Sequence, residues 1–119
     1  MSAVEEMSAI TTHVLDTSAG RPAAGVPVTL EIRDGGGWRL LGRGATDADG
    51  RLRDLLRGDF DLSEGEYRLT FDAATYFTRA GVEGFYAEVV VSFVVRDAGA
   101  HYHVPLLLGP YGYTTYRGS

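Results

Sequence analysis

The 119-residue sequence predicts an all-β sandwich or barrel with one short helix. Three observations carry that prediction. Short segments rich in β-branched and aromatic residues alternate apolar and polar side chains with a period of two. Turn signals built from Asp, Gly, Ser and Pro separate them, and glycine is abundant at 16 residues. A single stretch drops the alternation and reads as helix. Strands of this length and spacing are the pattern of a sandwich.

In chain order, residues 1–9 carry no periodic signal and read as a flexible N-terminal arm, with Met7 as an alternative start. The folded domain is 10–119. Ile10–Leu15 is the first strand. Val26–Arg33 is the clearest, with Val26, Val28, Leu30 and Ile32 on one face and Pro27, Thr29, Glu31 and Arg33 on the other. Asp34-Gly-Gly-Gly37 turns the chain into Trp38–Thr46. The turn Asp47-Ala-Asp-Gly50 leads to Arg51–Leu62, which fits either a short strand or an irregular turn. Glu66–Phe71 sets Tyr67, Leu69 and Phe71 on one face. Asp72–Arg79 does not alternate; Asp72 suits a helix N-cap and Gly81 a helix stop. Glu88–Arg96, Tyr102–Leu108 and Tyr113–Arg117 complete the strands.

Composition narrows the function. Sixteen acidic and eleven basic side chains give a formal charge of −5, and every basic residue is arginine. An acidic chain without basic runs argues against binding a nucleic-acid backbone, and leaves room for an arginine pocket that takes one small anion. There is no cysteine, which excludes disulfides, thiolate metal sites and thiol nucleophiles. The N-terminus lacks an apolar signal region, and no apolar run approaches the ~18 residues of a membrane helix. The expectation is a soluble, cytoplasmic protein with no membrane or nucleic-acid partner.

Few residues are equipped for chemistry. Of three histidines, His13 lies inside the first strand, while His101 and His103 stand two apart and share a face. Spacing alone leaves three roles open for them: hydrogen-bonded structural residues, metal ligands, or general bases. Arg51 follows a turn, where it is either a solvated guanidinium or a two-pronged anion ligand. The terminal Tyr111-Gly-Tyr-Thr-Thr-Tyr-Arg-Gly-Ser119 carries three tyrosines and no acid. It reads either as an edge strand on its own core or as a surface buried against another subunit. Ser119 is a nucleophile only with a base beside it.

Four ordered motifs then resemble one family. Thr12-His-Val-Leu-Asp-Thr-Ser-Ala-Gly-Arg-Pro-Ala23, Thr46-Asp-Ala-Asp-Gly-Arg51, Tyr102-His-Val-Pro-Leu-Leu-Leu108 and Tyr116-Arg-Gly-Ser119 are similar to the blocks of the transthyretin-like 5-hydroxyisourate hydrolases. The resemblance implies a transthyretin-like (prealbumin-like) sandwich of two four-stranded sheets with one short helix. It implies a homotetramer with sites in a channel at the dimer–dimer interface. It implies hydrolysis of 5-hydroxyisourate to 2-oxo-4-hydroxy-4-carboxy-5-ureidoimidazoline in urate degradation, with no metal and no cofactor. Carried over by position, His13, Arg51, His103 and Ser119 are the catalytic set, and His13, Arg51 and Tyr116 bind substrate. His13 and His103 share water activation and proton transfer, Arg51 holds negative charge, and Tyr116 and Ser119 shape the pocket. His101 falls outside the family's set. Two rivals have less support. A hormone carrier of the transthyretin kind needs an apolar channel and carries a lysine at its mouth, and this chain has no lysine. An immunoglobulin-type interaction sandwich rests on strand count alone.

Overall fold

The computed structural model describes residues 8–56 and 61–119. The expected arm therefore lies outside the described residues over 1–7, as does the middle of Arg51–Leu62. Ser8 and Ala9 are already tied to the sheet: the Ser8 N–H donates to the Arg53 carbonyl at 2.7 Å, and the Ala9 carbonyl accepts from the Tyr102 N–H at 2.8 Å.

Among the described residues, nine strands and one helix follow in order: β1 (Ile10–Asp16), β2 (Arg21–Pro22), β3 (Pro27–Asp34), β4 (Gly37–Ala45), β5 (Arg51–Leu52), β6 (Gly65–Phe71), α1 (Ala73–Ala80), β7 (Val89–Val95), β8 (Tyr102–Leu108) and β9 (Tyr113–Thr115). One sheet runs β4-β3-β6-β7 and is antiparallel throughout. The other runs β2-β1-β8-β9, with β5 also paired to β1. Two-residue strands β2 and β5 divide one edge of β1 between them, β5 at Thr12 and His13, β2 at Leu15 and Asp16. This sheet is thus four strands wide although it contains five.

The sheets face each other across the period-two apolar set. Val26, Val28, Leu30, Ile32, Tyr67, Leu69 and Phe71 are buried as the alternation predicts, against Ile10, Val14, Leu106 and Leu108 of the other sheet. The helix starts and stops where the sequence places it. Asp72 Oδ1 accepts the Thr75 N–H at 3.0 Å, and Gly81 ends the helix at φ 71°. The uncertain stretch after Arg51 resolves into β5 followed by a loop, whose Leu55 is buried against β4 at Gly42. A Cβ at Gly42 would lie 1.8 Å from the Leu55 carbonyl oxygen, so glycine is required by space rather than by backbone angle.

The last strand is shorter than the sequence predicts. β9 ends at Thr115, and Tyr116 and Arg117 leave the ladder before Gly118 makes one bridge back to His103. β7 also differs from a fully buried strand: it is the edge of its sheet, and Val90 and Val94 face outward at 44% and 47% exposure.

One buried carboxylate joins β1 to the helix. Asp16 accepts hydrogen bonds from the Ser18 N–H and hydroxyl, the Ala19 N–H and the Tyr76 hydroxyl, the last at 2.6 Å. Burial raises the Asp16 carboxyl, but these donors, led by Tyr76, outweigh it and hold it below its ordinary 3.8. Burial and the same bond push Tyr76 up to about 12. Tyr76→Phe is expected to cost about 1.5–3 kcal/mol at neutral pH, the range for a bond to a charged group. The carboxylate contributes its full stability above 3.8 and loses it as pH falls through the lower folded value. The penalty of Tyr76→Phe should therefore shrink in acid. Urea denaturation of both proteins across pH checks this, and a pH-independent difference would contradict it.

Candidate active site

The site grows out of the parallel pairing of β1 with β8. Register sets Thr11 opposite His103 and His13 opposite Pro105, and β5 sets Arg51 opposite His13. Side chains at paired positions point to the same face. Ile10, Thr12 and Val14 turn inward, so Thr11, His13 and Arg51 share the outer face of the sheet with His103.

Two turns deliver the flanking groups. Asp47 Oδ1 accepts the N–H groups of Asp49 and Arg51, both at 2.9 Å. The Arg51 N–H beside it holds the Asp47 carboxyl below its ordinary value. Gly50 closes this turn at φ 76°, where a Cβ would lie 2.4 Å from the Val14 carbonyl oxygen. The second turn repeats the device: Asp97 Oδ1 accepts the Gly99 N–H at 3.0 Å, and His101 follows.

Thr11, Thr12, Arg51, Arg53, His101, His103 and Ser119 surround a recess of about 150 Å3. Arg51, His103 and Ser119, all expected site residues, therefore come together. His13 is on the same face, and its Nε2–H donates to the Asp49 carbonyl at 2.9 Å. A carbonyl only accepts, so this bond fixes the ring with its other nitrogen, Nδ1, as the acceptor when neutral. Tyr116 is not brought to the recess. It is 56% exposed and lines a separate groove with Val91, Phe93 and Val104. Arg117 stacks on the Tyr102 ring at 4.5 Å.

His103 is the most constrained of these groups. Its Nδ1 lies 2.8 Å from the Thr11 hydroxyl. The Gly118 N–H donates to its carbonyl at 2.8 Å, and a Cβ on Gly118 would stand 2.7 Å from its Cδ2. Only glycine lets the terminal segment close against the imidazole. Burial, helped by the nearby His101, Arg51 and His13, lowers the His103 pKa below 6.5 and keeps the ring neutral at neutral pH. Among the described residues, the Arg51 guanidinium has no ion-pair or hydrogen-bond partner, in contrast to Arg33, Arg39 and Arg68, which pair with carboxylates. The arrangement supplies a neutral imidazole able to take a proton and a cation able to hold an anion. Among the described residues, no three His, Asp or Glu side chains are grouped to hold a metal ion.

Among the residues lining the recess, Thr11 and Arg53 escaped the sequence. Thr11 is a buried strand threonine with no motif of its own, and only the parallel register shows its purpose. His101 was expected on the His103 face, and the two rings indeed lie nearly parallel, 6.5 Å apart. The unexpected part is that the Thr11 hydroxyl also lies 3.2 Å from His101 Nε2 and joins the pair.

Comparison with known proteins agrees with this architecture. The profile of the HIUase/Transthyretin family matches residues 10–118. The chain is 48% identical to the 5-hydroxyisourate hydrolase of Caulobacter vibrioides over 117 residues, covering 95% of this chain and 100% of that protein. Its structure is similar to that of Klebsiella pneumoniae 5-hydroxyisourate hydrolase, with a TM-score of 0.81 and 36% identity over 92% of this chain and 97% of that one. It is also similar to sea bream transthyretin in complex with thyroxine, with a TM-score of 0.87 and 32% identity over 93% of this chain and 95% of that one. A transthyretin-like sandwich matched by the family profile from the first strand nearly to the last residue makes this chain a member of the HIUase/Transthyretin family.

Proposed function

We propose that the protein is a hydrolase that opens 5-hydroxyisourate to 2-oxo-4-hydroxy-4-carboxy-5-ureidoimidazoline, a step of urate degradation. One observation carries the reading. A neutral, half-buried imidazole, His103, shares a polar recess with the guanidinium of Arg51, which has no partner among the described residues. A site for thyroxine, with which sea bream transthyretin forms a complex, calls for an apolar lining. This recess is bordered by two histidines, two arginines, two threonines and a serine.

In this reading His103 takes a proton from water through Nε2, because Nδ1 is committed to Thr11. The hydroxide adds to the ring amide carbonyl. Arg51 binds substrate oxygens and balances the negative charge that develops on that carbonyl. His13, with Nε2–H given to Asp49, offers Nδ1 for substrate binding or for proton transfer to the leaving nitrogen. Ser119 supplies a hydrogen bond at the recess edge. No covalent nucleophile, metal or cofactor is required.

The assembly belongs to the same proposal. A recess of about 150 Å3 is small against the ~300 Å3 lower end of ligand pockets, so a facing copy would complete it. Phe85 and Tyr111 are 71% and 72% exposed, and Tyr86 stacks edge-on to Phe85 and Tyr113. Aromatic surface of this extent is the mark of an interface. We assign a cytoplasmic homotetramer with sites where dimers meet, Tyr116 contributing to the substrate pocket through the assembly. In this reading the hydrolase domain spans residues 10–119. Light scattering at micromolar concentration should report four times 12.8 kDa, and a purely monomeric species would refute the assembly.

Ultraviolet decay of freshly prepared 5-hydroxyisourate tests the activity directly. His103→Asn should lower turnover by roughly 10²–10⁴, the usual span for a lost acid–base group. The acid limb of the wild-type kcat/KM profile, which reports the free enzyme, should lie below 6.5, since the base works only when neutral and its folded pKa is depressed. Wild-type turnover in a folded His103→Asn protein would remove the base from the mechanism.

Arg51→Lys preserves charge and loses the planar fork. Turnover should fall by about 10²–10³, as when one oriented donor to an oxyanion is removed. An unchanged rate would return Arg51 to the role of a solvated turn residue.

A further inference from the structure

We infer that Thr11 and His101 form, with His103, a hydrogen-bonded proton relay that carries the proton taken from water out to the exposed rim of the recess. The inference rests on the hydrolase reading above and extends it to two residues outside the catalytic set given by the sequence motifs.

The Thr11 hydroxyl stands between two imidazole nitrogens, His103 Nδ1 at 2.8 Å and His101 Nε2 at 3.2 Å. A hydroxyl has one proton to give and lone pairs to accept. Whichever ring it donates to, the other ring must donate to it. The tautomers of the two histidines are therefore linked. If His103 Nε2 is to accept a proton from water, its neutral ring carries hydrogen on Nδ1. That Nδ1–H donates to Thr11, and the Thr11 hydroxyl then donates to His101 Nε2.

This order is the one that conducts. Water loses a proton to His103 Nε2, and its oxygen adds to the carbonyl carbon. His103 passes its Nδ1 proton to Thr11 Oγ, and Thr11 passes its own hydroxyl proton to His101 Nε2. One proton has moved from water to His101, no electrons have changed hands, and His103 is neutral again. The reverse passage returns a proton through His103 Nε2 to the leaving ring nitrogen when the amide C–N bond breaks.

Geometry and environment favour the outward direction. Thr11 is 2% exposed and locked in β1 directly opposite His103, so its hydroxyl is shielded from bulk solvent. His101 is exposed and begins where the Asp97 turn ends, so a charge there is hydrated. His103 is half-buried with Arg51 and His13 nearby, all of which oppose an imidazolium at that ring. Handing the charge to His101 moves it from the place where it costs most to the place where water stabilises it.

The test uses full-length Thr11→Val, Thr11→Ser, His101→Asn and the double variant Thr11→Val/His101→Asn. Valine keeps the branched shape of threonine and removes only the hydroxyl. Decay of 5-hydroxyisourate is followed at several imidazole concentrations, with the uncatalysed rate subtracted. Thr11→Val and His101→Asn should each lower kcat about 10–100-fold, the range for losing a group that orients a histidine, with little change in KM. Thr11→Ser should restore most of the rate, and the double variant should be no slower than the worse single one, because both cut the same chain. Added imidazole should rescue His101→Asn by accepting the proton at the exposed end, and should not rescue Thr11→Val. Wild-type kcat in His101→Asn, multiplying losses in the double variant, or equal imidazole response in both single variants would overturn the relay. A wild type inert toward 5-hydroxyisourate would instead overturn the proposed activity. The relay is then read from ring 15N chemical shifts of His101 and His103: Thr11→Val must change the tautomer balance of both rings and Thr11→Ser must preserve it. Shifts that ignore Thr11→Val would refute it.

Discussion

The parallel pairing of β1 with β8 is the constraint on which the molecule depends. It joins residues about ninety positions apart, Ile10 to Tyr102 through Asp16 to Leu108, with closure of a long loop as its entropic cost. Its inward side chains, Ile10, Val14, Val104, Leu106 and Leu108, face the apolar side chains of the other sheet in the core. Its outward ones bring Thr11 to His103 and His13 to the same face. A shift of one residue in this register would exchange the faces, burying histidines among leucines and exposing the core. Fold stability and site geometry are therefore fixed by the same ladder, and the apolar face holds the polar face in register.

Around that ladder, short local devices do the positioning. Two aspartates, Asp47 and Asp97, fold turns by accepting backbone N–H groups and set Arg51 at the start of β5 and His101 just before β8, the strands on either side of β1. Two glycines let backbone approach where no Cβ fits, Gly50 against Val14 and Gly118 against His103. None of these four residues needs to touch a ligand to matter. Each fixes a neighbour that lines the recess, which is how a site on an open sheet face achieves definite geometry without being deeply buried.

How much of this the sequence discloses depends on the range of the interaction. Period-two alternation in Val26–Arg33 and Glu66–Phe71, and the Asp72 and Gly81 helix signals, are local, and the structure follows them closely. The apolar run Glu88–Arg96 hides the fact that β7 is an edge, because a run without alternation does not say which face is open. β2 and β5 are two residues each, too short for any period, and exist only because β1 offers them an edge. The site divides in the same way. His13, Arg51, His103 and Ser119 are visible through motif resemblance. Thr11 is invisible, since its significance comes wholly from a partner 92 residues away. Tyr116 is legible as an unusual terminal aromatic, but a single chain turns it away from the recess.

The electrostatics of the recess reconcile an acidic protein with an anionic substrate. A formal charge of −5 describes the whole surface, whereas Arg51 and Arg53 and two histidines gather on one face of one sheet. Local charge, not net charge, governs what a recess attracts. The same gathering acts on the base. Burial first, then His101, Arg51 and His13, keep His103 less basic than a free imidazole. In the proposed reaction an anion held by Arg51 would cancel part of that positive field and raise the basicity of His103. In the empty site the ring is neutral at neutral pH. The positive charge formed when it takes a proton would be balanced by the oxyanion it helps to create. Arg51 would thereby couple binding to catalysis through the field at one nitrogen atom.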